Sequence, residues 1–316
     1  MILRLLERTA VFLASLAVSS VVVFGFMVLL PGDPARVALG VNATDESVAQ
    51  LRHEFGLDRA LPAQYLSWVG GLIRLDPGIS YISRAEIGPQ LADRLQVSLI
   101  LVIVSMLLAV ALALPFGTLM AVHHRRAAGV ALSALSQVGV AVPAFLAGIL
   151  LITVFAVQLG WLPANGWTPP AYDPVDFLRR LVLPVLSLGI VQAAVLTRYV
   201  RSAVLDVLRE DYLRTARAKG LGPMTALVRH GLRNAAVPVV TVLGLQLATL
   251  LVGAVVIERV FVIPGLGSLL LDAVGNRDLL VVQDVVMVLV VAVLLVNFLV
   301  DLLYVVIDPR LRTGAR

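Results

Sequence analysis

Six long apolar runs constrain this chain more than any other feature: Thr9–Leu30, Val97–Val122, Ala127–Leu159, Leu181–Thr197, Asn234–Ile257 and Val285–Ile307. A helix needs about 20 mainly apolar residues to cross roughly 30 Å of hydrocarbon. The runs therefore predict an all-α polytopic membrane protein with six transmembrane helices. Composition agrees. Hydrophobic residues make up 59% of the chain and charged residues 14%, with a mean hydropathy of +0.96. Soluble domains lie near 45–50% apolar and about 25% charged, so a soluble enzyme, a disordered tail and a fibrous repeat are excluded. The third run is over-long and predicts a tilt, a bend near Pro143 or a run-on into a loop. The fourth is short and borrows Tyr199 and Val200, and Asp301 interrupts the sixth. The first run reads as a retained anchor, because its length exceeds the 7–15-residue apolar core of a signal peptide.

Charge sets the expected orientation. If residues 1–8, 123–126, 198–233 and 308–316 face inward, they carry 15 Lys/Arg and 5 acids. The short opposite stretches 160–180 and 258–284 carry only 4 Lys/Arg. By the positive-inside rule both termini are cytoplasmic. The formal charge of +5, with Lys219 the single lysine, thus reads as topology. No soluble basic module is present, so nucleic acid is not expected as a partner.

The outer segment 31–96 is too long to be a mere connector. It shows amphipathic patterning around Val48–Phe55 and Gln64–Ile73, with Tyr65 and Trp68 suited to a membrane interface. The domain organisation expected is an N-terminal membrane helix at 1–30, the extracytoplasmic segment 31–96, and a five-helix core at 97–316. That core holds a cytoplasmic hairpin at 206–233 and an outer loop at 258–284.

Catalytic machinery is missing from the sequence. There is no cysteine, so thiolate catalysis and cysteine metal sites are excluded. Lys219-Gly220 runs in the wrong order for a P-loop, so the chain holds no nucleotide in that way. His53-Glu54 begins a zinc-protease motif, but Leu57 stands where the second ligand belongs. His123 and His124 are adjacent and diverge by about 100° on a helix. No G-x-S-x-G occurs. Neither a catalytic residue nor a metal site is expected.

The inner segment carries the strongest signal. Leu205, Leu208, Tyr212 and Ala216 recur at helical spacing among charges. Gly220 and Gly222-Pro223 then stop the helix, and a second short helix, Met224–Arg233, leads back to the membrane. The run Asp211-Tyr212, Arg214-Thr215-Ala216-Arg217-Ala218-Lys219-Gly220 resembles the EAA loop of ABC-importer permeases. More narrowly, it is similar to the dipeptide, oligopeptide and nickel branch. Arg229-His230, Leu232-Arg233-Asn234-Ala235 and Pro238 fit the same branch. So do Pro31-Gly32-Asp33-Pro34, Gly56-Leu57-Asp58 with Gln64-Tyr65, Gly160-Trp161-Leu162-Pro163 with Gly166, and Glu258 with Phe261. Pro264-Gly265-Leu266-Gly267, Arg277-Asp278 and Asp308-Pro309-Arg310 complete the series. Position 214 is arginine and 215 threonine where a general EAA loop has Glu-Ala-Ala, as is usual in the peptide branch. Leu75-Asp76-Pro77-Gly78-Ile79-Ser80 departs from the branch's outer pattern.

The resemblance implies the type I ABC-importer permease fold in a bacterial cytoplasmic membrane. It implies a second homologous permease, two ATP-binding subunits and an extracytoplasmic binding protein as partners. No cofactor is expected on this chain, since ATP and Mg would sit on the partner ATPases. The implied coupling residues are Asp211, Tyr212, Arg214, Thr215, Ala216, Arg217, Ala218, Lys219 and Gly220. The implied cargo is di- or oligopeptides, with nickel or another small solute as the alternative.

Polar residues within the runs remain. Asn297 and Asp301 are four apart and share a helix face. A charge in a span marks a pathway residue or a satisfied helix contact, and the contact is the plainer reading. Gln192 and Gln246 are read the same way. Gly244, Ala248 and Gly253 suit close helix packing. From the residues alone, a stand-alone homo-oligomeric carrier or channel using Asp301 is the competing class. An intramembrane enzyme would need nucleophile–base pairs that are not seen.

Overall fold

The computed structural model describes residues 2–30 and 32–307. Pro31 and the closing stretch 308–316, with Asp308-Pro309-Arg310, lie outside the described residues. The described residues are helical throughout, joined by turns and one isolated bridge between Ile79 and Glu86. In chain order the helices are α1 (Ile2–Leu29), α2 (Pro34–Leu39), α3 (Asp45–Glu54), α4 (Leu61–Ile73), α5 (Ile87–Val122), α6 (Ala127–Ala141) and α7 (Ala144–Leu151). Then come α8 (Pro174–Leu208), α9 (Asp211–Ala218), α10 (Pro223–Ala226), α11 (Leu232–Val260), α12 (Leu266–Gly275) and α13 (Leu279–Ile307). Five helices are long and apolar enough to cross a membrane, and six spans result if the bent pair α6–α7 counts as one.

Local chemistry explains where the helices depart from the apolar runs. α8 begins well before Leu181 because Asp173 caps it, accepting from the amides of Val175 and Asp176, with Pro174 in the first turn. It then runs on through Arg198 and Arg201 to Leu208. α5 starts at Ile87, ten residues before Val97, since Asp93 and Arg94 lower hydropathy without breaking a helix. The over-long third run breaks where a bend was expected. α6 stops at Ala141, Pro143 is extended (φ −61°, ψ 141°), and the two pieces meet at 96°. A proline ring lacks the amide that would continue the ladder. α7 then loosens into a π-helical turn, Ile152–Gln158.

The chain divides into two compact units. The first contains Leu99–Ile263 with the described parts of Met1–Leu5 and Val296–Arg316. Here α8 is the hub, packing against α6, α7 and α11. Its core gathers Ala113, Leu196, Val200, Val204, Leu213 and Leu227. Close crossings need small residues. A Cβ on Gly117 would lie 2.6 Å from Val200 Cβ, and one on Gly244 would lie 2.6 Å from Val300 Cγ2.

The second unit contains Leu6–Ser98 and Pro264–Leu295. One cluster joins Met27, Ile87 and Leu91 to Leu266, Leu269 and Val285, and a second joins Val23, Trp68 and Met287. A small satellite of Ala35, Val48 and Leu51 packs α2 on α3. α3 starts at a reciprocal cap: Ser47 N–H donates to Thr44 Oγ1, and Thr44 N–H donates to Ser47 Oγ.

Candidate functional site

The hairpin between α8 and α11 begins with a break that hydrophobic spacing did not reveal. α8 ends at Leu208, Arg209 and Glu210 turn the chain, and α9 starts at Asp211. Leu205, Leu208, Tyr212 and Ala216 therefore do not form one stripe on one helix. The residue that seats α9 is Leu213, 1% exposed and packed among Val204, Val207, Ala226 and Leu227. Ala216 is half-buried against the same core, as are Leu205 and Leu208.

The other face of α9 is open. Asp211, Arg214, Thr215, Arg217, Ala218 and Lys219 are exposed. Arg214 Nη1 lies 3.6 Å from Asp211 Oδ1 with both side chains in solvent, and Thr215 Oγ1 donates to the Asp211 carbonyl. An exposed i,i+3 pair of this kind contributes only a few tenths of a kcal/mol. Tyr212 accepts a 2.9 Å bond at its hydroxyl from Asn234 Nδ2 on α11, which ties the two arms of the hairpin together.

Gly220 closes α9 as the sequence predicts. Its φ of +91° is left-handed. Its amide donates to the Arg217 carbonyl at 3.0 Å, and the Leu221 amide donates to the Ala216 carbonyl at 3.3 Å. This is the glycine-ended double bond pattern that satisfies the last carbonyls of a helix. The second arm differs from the separate helix expected at Met224–Arg233. α10 is one turn, a π-helical turn covers Leu227–Gly231, and α11 follows without a gap. Gly231 sits at that join, where a Cβ would fall 2.8 Å from Leu227 Cδ1 and 2.9 Å from Val207 Cγ1.

The polar residues of the spans are placed separately from the hairpin. Gln192 on α8 and Gln246 on α11 are buried, and Gln192 Nε2 has no hydrogen-bond partner. Asn297 is exposed and Asp301 half-buried on α13.

Sequence reasoning missed a buried polar group in the second unit. Asp284 is fully buried and accepts a 2.8 Å bond from Trp68 Nε1, while its Oδ2 has no partner. Asp278 is buried and accepts from Ser80 Oγ, which also caps the turn by accepting from the Ile82 and Ser83 amides. Burial, with Asp284 and Asp278 nearby, pushes the Tyr81 phenol up to about 12. Trp68 is thus an internal donor, 8% exposed, and not the interface anchor that its residue type suggested. The available signal was an acid beside an apolar run, since the sixth helix begins at Leu279 and takes Asp284 inside.

The decoy at His53 resolves simply. Its Nδ1 lies 2.6 Å from Asp58 Oδ2, and this bond holds the Asp58 carboxyl below its ordinary range. Among the described residues no group of three His, Asp or Glu side chains is placed to hold a metal.

Residues 113–313 match the family described as binding-protein-dependent transport system inner membrane component. Residues 1–102 match the N-terminal family of the same transport systems. The chain is 38% identical over 308 residues to the probable peptide ABC transporter permease protein y4tP of Sinorhizobium fredii, covering 98% of each chain. It is 40% identical over 307 residues to the glutathione transport system permease protein GsiC of Escherichia coli K12, covering 97% of this chain and 98% of that one. Among solved structures, an inward-facing MetNI methionine ABC transporter aligns with a TM-score of 0.58 at 21% identity, over 69% of this chain and 96% of that one. An amino acid ABC transporter aligns at 0.51 and 17% identity, over 68% and 93%. These two likenesses concern the fold alone.

Proposed function

The chain belongs to the binding-protein-dependent transport system inner membrane component family, and from that premise we propose that its 206–233 hairpin couples peptide import to ATP hydrolysis on partner chains. It is a membrane permease subunit of the ABC-importer class and not itself an enzyme. Family membership displaces the stand-alone carrier reading. The finer assignment covers the partners, the coupling route and the cargo.

The observation that supports coupling is the division of α9 into two faces. Leu213 anchors one face in the α8 core, while Asp211, Arg214, Arg217 and Lys219 stand in solvent on the other. A short helix fixed at its base by an apolar side chain moves with its core as a rigid piece. Its charged face then suits a groove on a soluble ATPase, where charge complementarity governs recognition. A partner pair of ATPases closing on ATP would push the hairpin, and α8 and α11 would carry the displacement into the spans. A second permease completes the pathway, and an extracytoplasmic binding protein delivers cargo. Both termini lie on the cytoplasmic side in this arrangement.

Peptides are the proposed cargo because the relatives named above carry the words peptide and glutathione, and glutathione is itself a small peptide. Co-purification from native membrane tests the assembly, with recovery of a second permease and P-loop ATPases expected. Arg217→Glu with Lys219→Glu tests the coupling face without disturbing the buried anchor. The double variant is expected to insert and fold normally while peptide-stimulated ATP hydrolysis falls at least tenfold. Unchanged stimulation would overturn the coupling role, and vesicles importing nickel but no peptide would overturn the cargo.

A further inference from the structure

The helix α4 carries an apolar stripe that neither its unit nor the proposed transport role accounts for. α4 is 13 residues long and has no charged side chain. A stretch of that length is too short to cross a bilayer and reads as a core helix, a re-entrant segment or an interfacial one. Its surroundings decide between these. One face, Tyr65, Trp68 and Leu72, packs against Val23, Phe24 and Met287. A second, polar face places Gln64 and Ser67, with Arg74 just past the helix end, on an open cavity of about 1400 Å³. The third face turns away from both. Leu66 is 67% exposed and Ile73 78%, and Pro62 stands exposed on the same line, one turn before Leu66.

Depth comes from the partner helix. Tyr65 Oη lies 2.8 Å from Ser20 Oγ, and the Tyr65 ring meets Phe24 edge-on at 5.5 Å. Ser20 precedes the end of α1 at Leu29 by nine residues, which is about 13 Å along a helix. Half of a bilayer's hydrocarbon is about 15 Å. α4 is thus pinned beside the membrane-crossing part of α1, not beyond its end. Away from these contacts α1 exposes Val18, Val21, Val22 and Phe26, the apolar side chains that a membrane-crossing helix turns outward.

We propose that α4 lies within the bilayer leaflet at the C-terminal end of α1, with Pro62, Leu66 and Ile73 against acyl chains and Gln64, Ser67 and Arg74 against the aqueous cavity. A helix apolar on two faces and polar on the third needs two solvents, and this position supplies both. The role of Trp68 follows from it. Its indole N–H is taken by buried Asp284, so α4 is held by that bond while its aliphatic edge meets lipid.

The chain has no cysteine, so single thiols report each position directly. Leu66→Cys and Asp45→Cys are compared in the full chain in native membrane, using a water-soluble, membrane-impermeant maleimide. Asp45 is the aqueous reference, its side chain 96% exposed. Val22→Cys on α1 is the lipid reference. Leu66→Cys is expected to label at least tenfold more slowly than Asp45→Cys. After labelling with a fluorophore in detergent and return to vesicles, nitroxide-bearing phospholipids should quench it as strongly as Val22→Cys. Labelling at the Asp45 rate would overturn the proposal. Protection from maleimide without lipid quenching would also overturn it, because a protein partner would then cover the stripe. Ile73→Cys repeats the measurement should Leu66→Cys fail to accumulate.

Discussion

In the unit that carries the hairpin, helices meet over glycines, whereas in the unit of residues 6–98 and 264–295 the loops are tied down by buried carboxylates. Gly117 lets α5 approach α8 at Val200 and the Thr197 carbonyl, and Gly189 lets α8 approach Leu108 and the Ser105 carbonyl. Lipid tails are as apolar as leucine, so such helices gain from close packing and not from escaping water. The other unit holds irregular chain at 74–86 beside a water-accessible cavity. Side-chain packing alone leaves such chain with many conformations. A directed bond from Ser80 to Asp278 restrains this stretch, and one from Trp68 to Asp284 ties the preceding helix α4 to α13. The first unit is adjustable by volume and the second by hydrogen-bond partners.

The sharpest way to break this comparison is at Trp68. Trp68→Ala removes a buried aromatic side chain and is expected to lower stability by about 3–5 kcal/mol. Trp68→Phe keeps most of the volume but strands the Asp284 carboxylate, with an expected loss of about 1–3 kcal/mol. Adding Asp284→Leu to Trp68→Phe should recover most of that loss, because removing both partners leaves no buried polar group unpaired. Thermal unfolding in mild detergent, followed by size-exclusion of the surviving fraction, reads all three. A Trp68→Phe chain that melts with the parent would show that the bond fixes nothing.

The volume side is tested at Gly117. An added Cβ would meet Val200 Cβ at 2.6 Å and the Thr197 carbonyl oxygen at 2.8 Å. A backbone oxygen cannot rotate aside, so Gly117→Ala is expected to lose about 1–3 kcal/mol. Gly25→Ala on α1 is the contrast, since nothing lies within 4 Å of its Cβ position. The same melting assay should leave Gly25→Ala at or slightly above the parent. Equal losses at both positions would mean that helix contact is not what the glycine serves.

What the sequence made legible divides along the same line. Hydropathy located the five helices long and apolar enough to cross a membrane, and the bent pair α6–α7, because lipid filters for apolar residues over about 20 positions. Pro143 and Gly220 announced their breaks, since a missing amide and a left-handed φ are properties of single residues. The EAA-like run was legible from residue identity. The break at Arg209–Glu210 was not, because no proline or glycine marks it and Leu213 competes with Tyr212 for the core. Spacing alone favours Tyr212, which the structure leaves exposed and bonded to Asn234. Trp68–Asp284 spans 216 positions, and no local pattern connects residues so far apart. The close glycine contact was foreseen at Gly244 but not at Gly117 or Gly231.

A smaller effect is expected at Gly220. Its φ is +91° and no atom lies within 4 Å of its Cβ position, so Gly220→Ala meets a backbone cost and no clash. Placing an L-residue in that region costs about 1 kcal/mol. The cost falls on the last turn of α9, so amide exchange at Lys219–Leu221 should quicken several-fold while α8 stays protected. Uniformly faster exchange across α8 would mean the hairpin and its core unfold together.

The smallest effect has the opposite sign and comes from the helix end that breaks the rule Gly220 obeys. α11 closes with the same bond pattern, the Ile263 amide donating to the Glu258 carbonyl at 2.8 Å and the Val262 amide to the Arg259 carbonyl at 3.4 Å. Yet the left-handed position is Val262, at φ 52°. A β-branched residue there is an outlier, since its Cβ crowds the adjoining carbonyl. Val262 is 64% exposed, so its side chain contributes little burial in return. Val262→Gly relieves about 1–2 kcal/mol of backbone strain and loses about 0.4–1 kcal/mol through the looser unfolded chain. The net expectation is a gain of about 0.5 kcal/mol, seen as a small rise in melting temperature. A fall instead would mean that the Val262 side chain and the stiffer unfolded chain together outweigh the backbone strain.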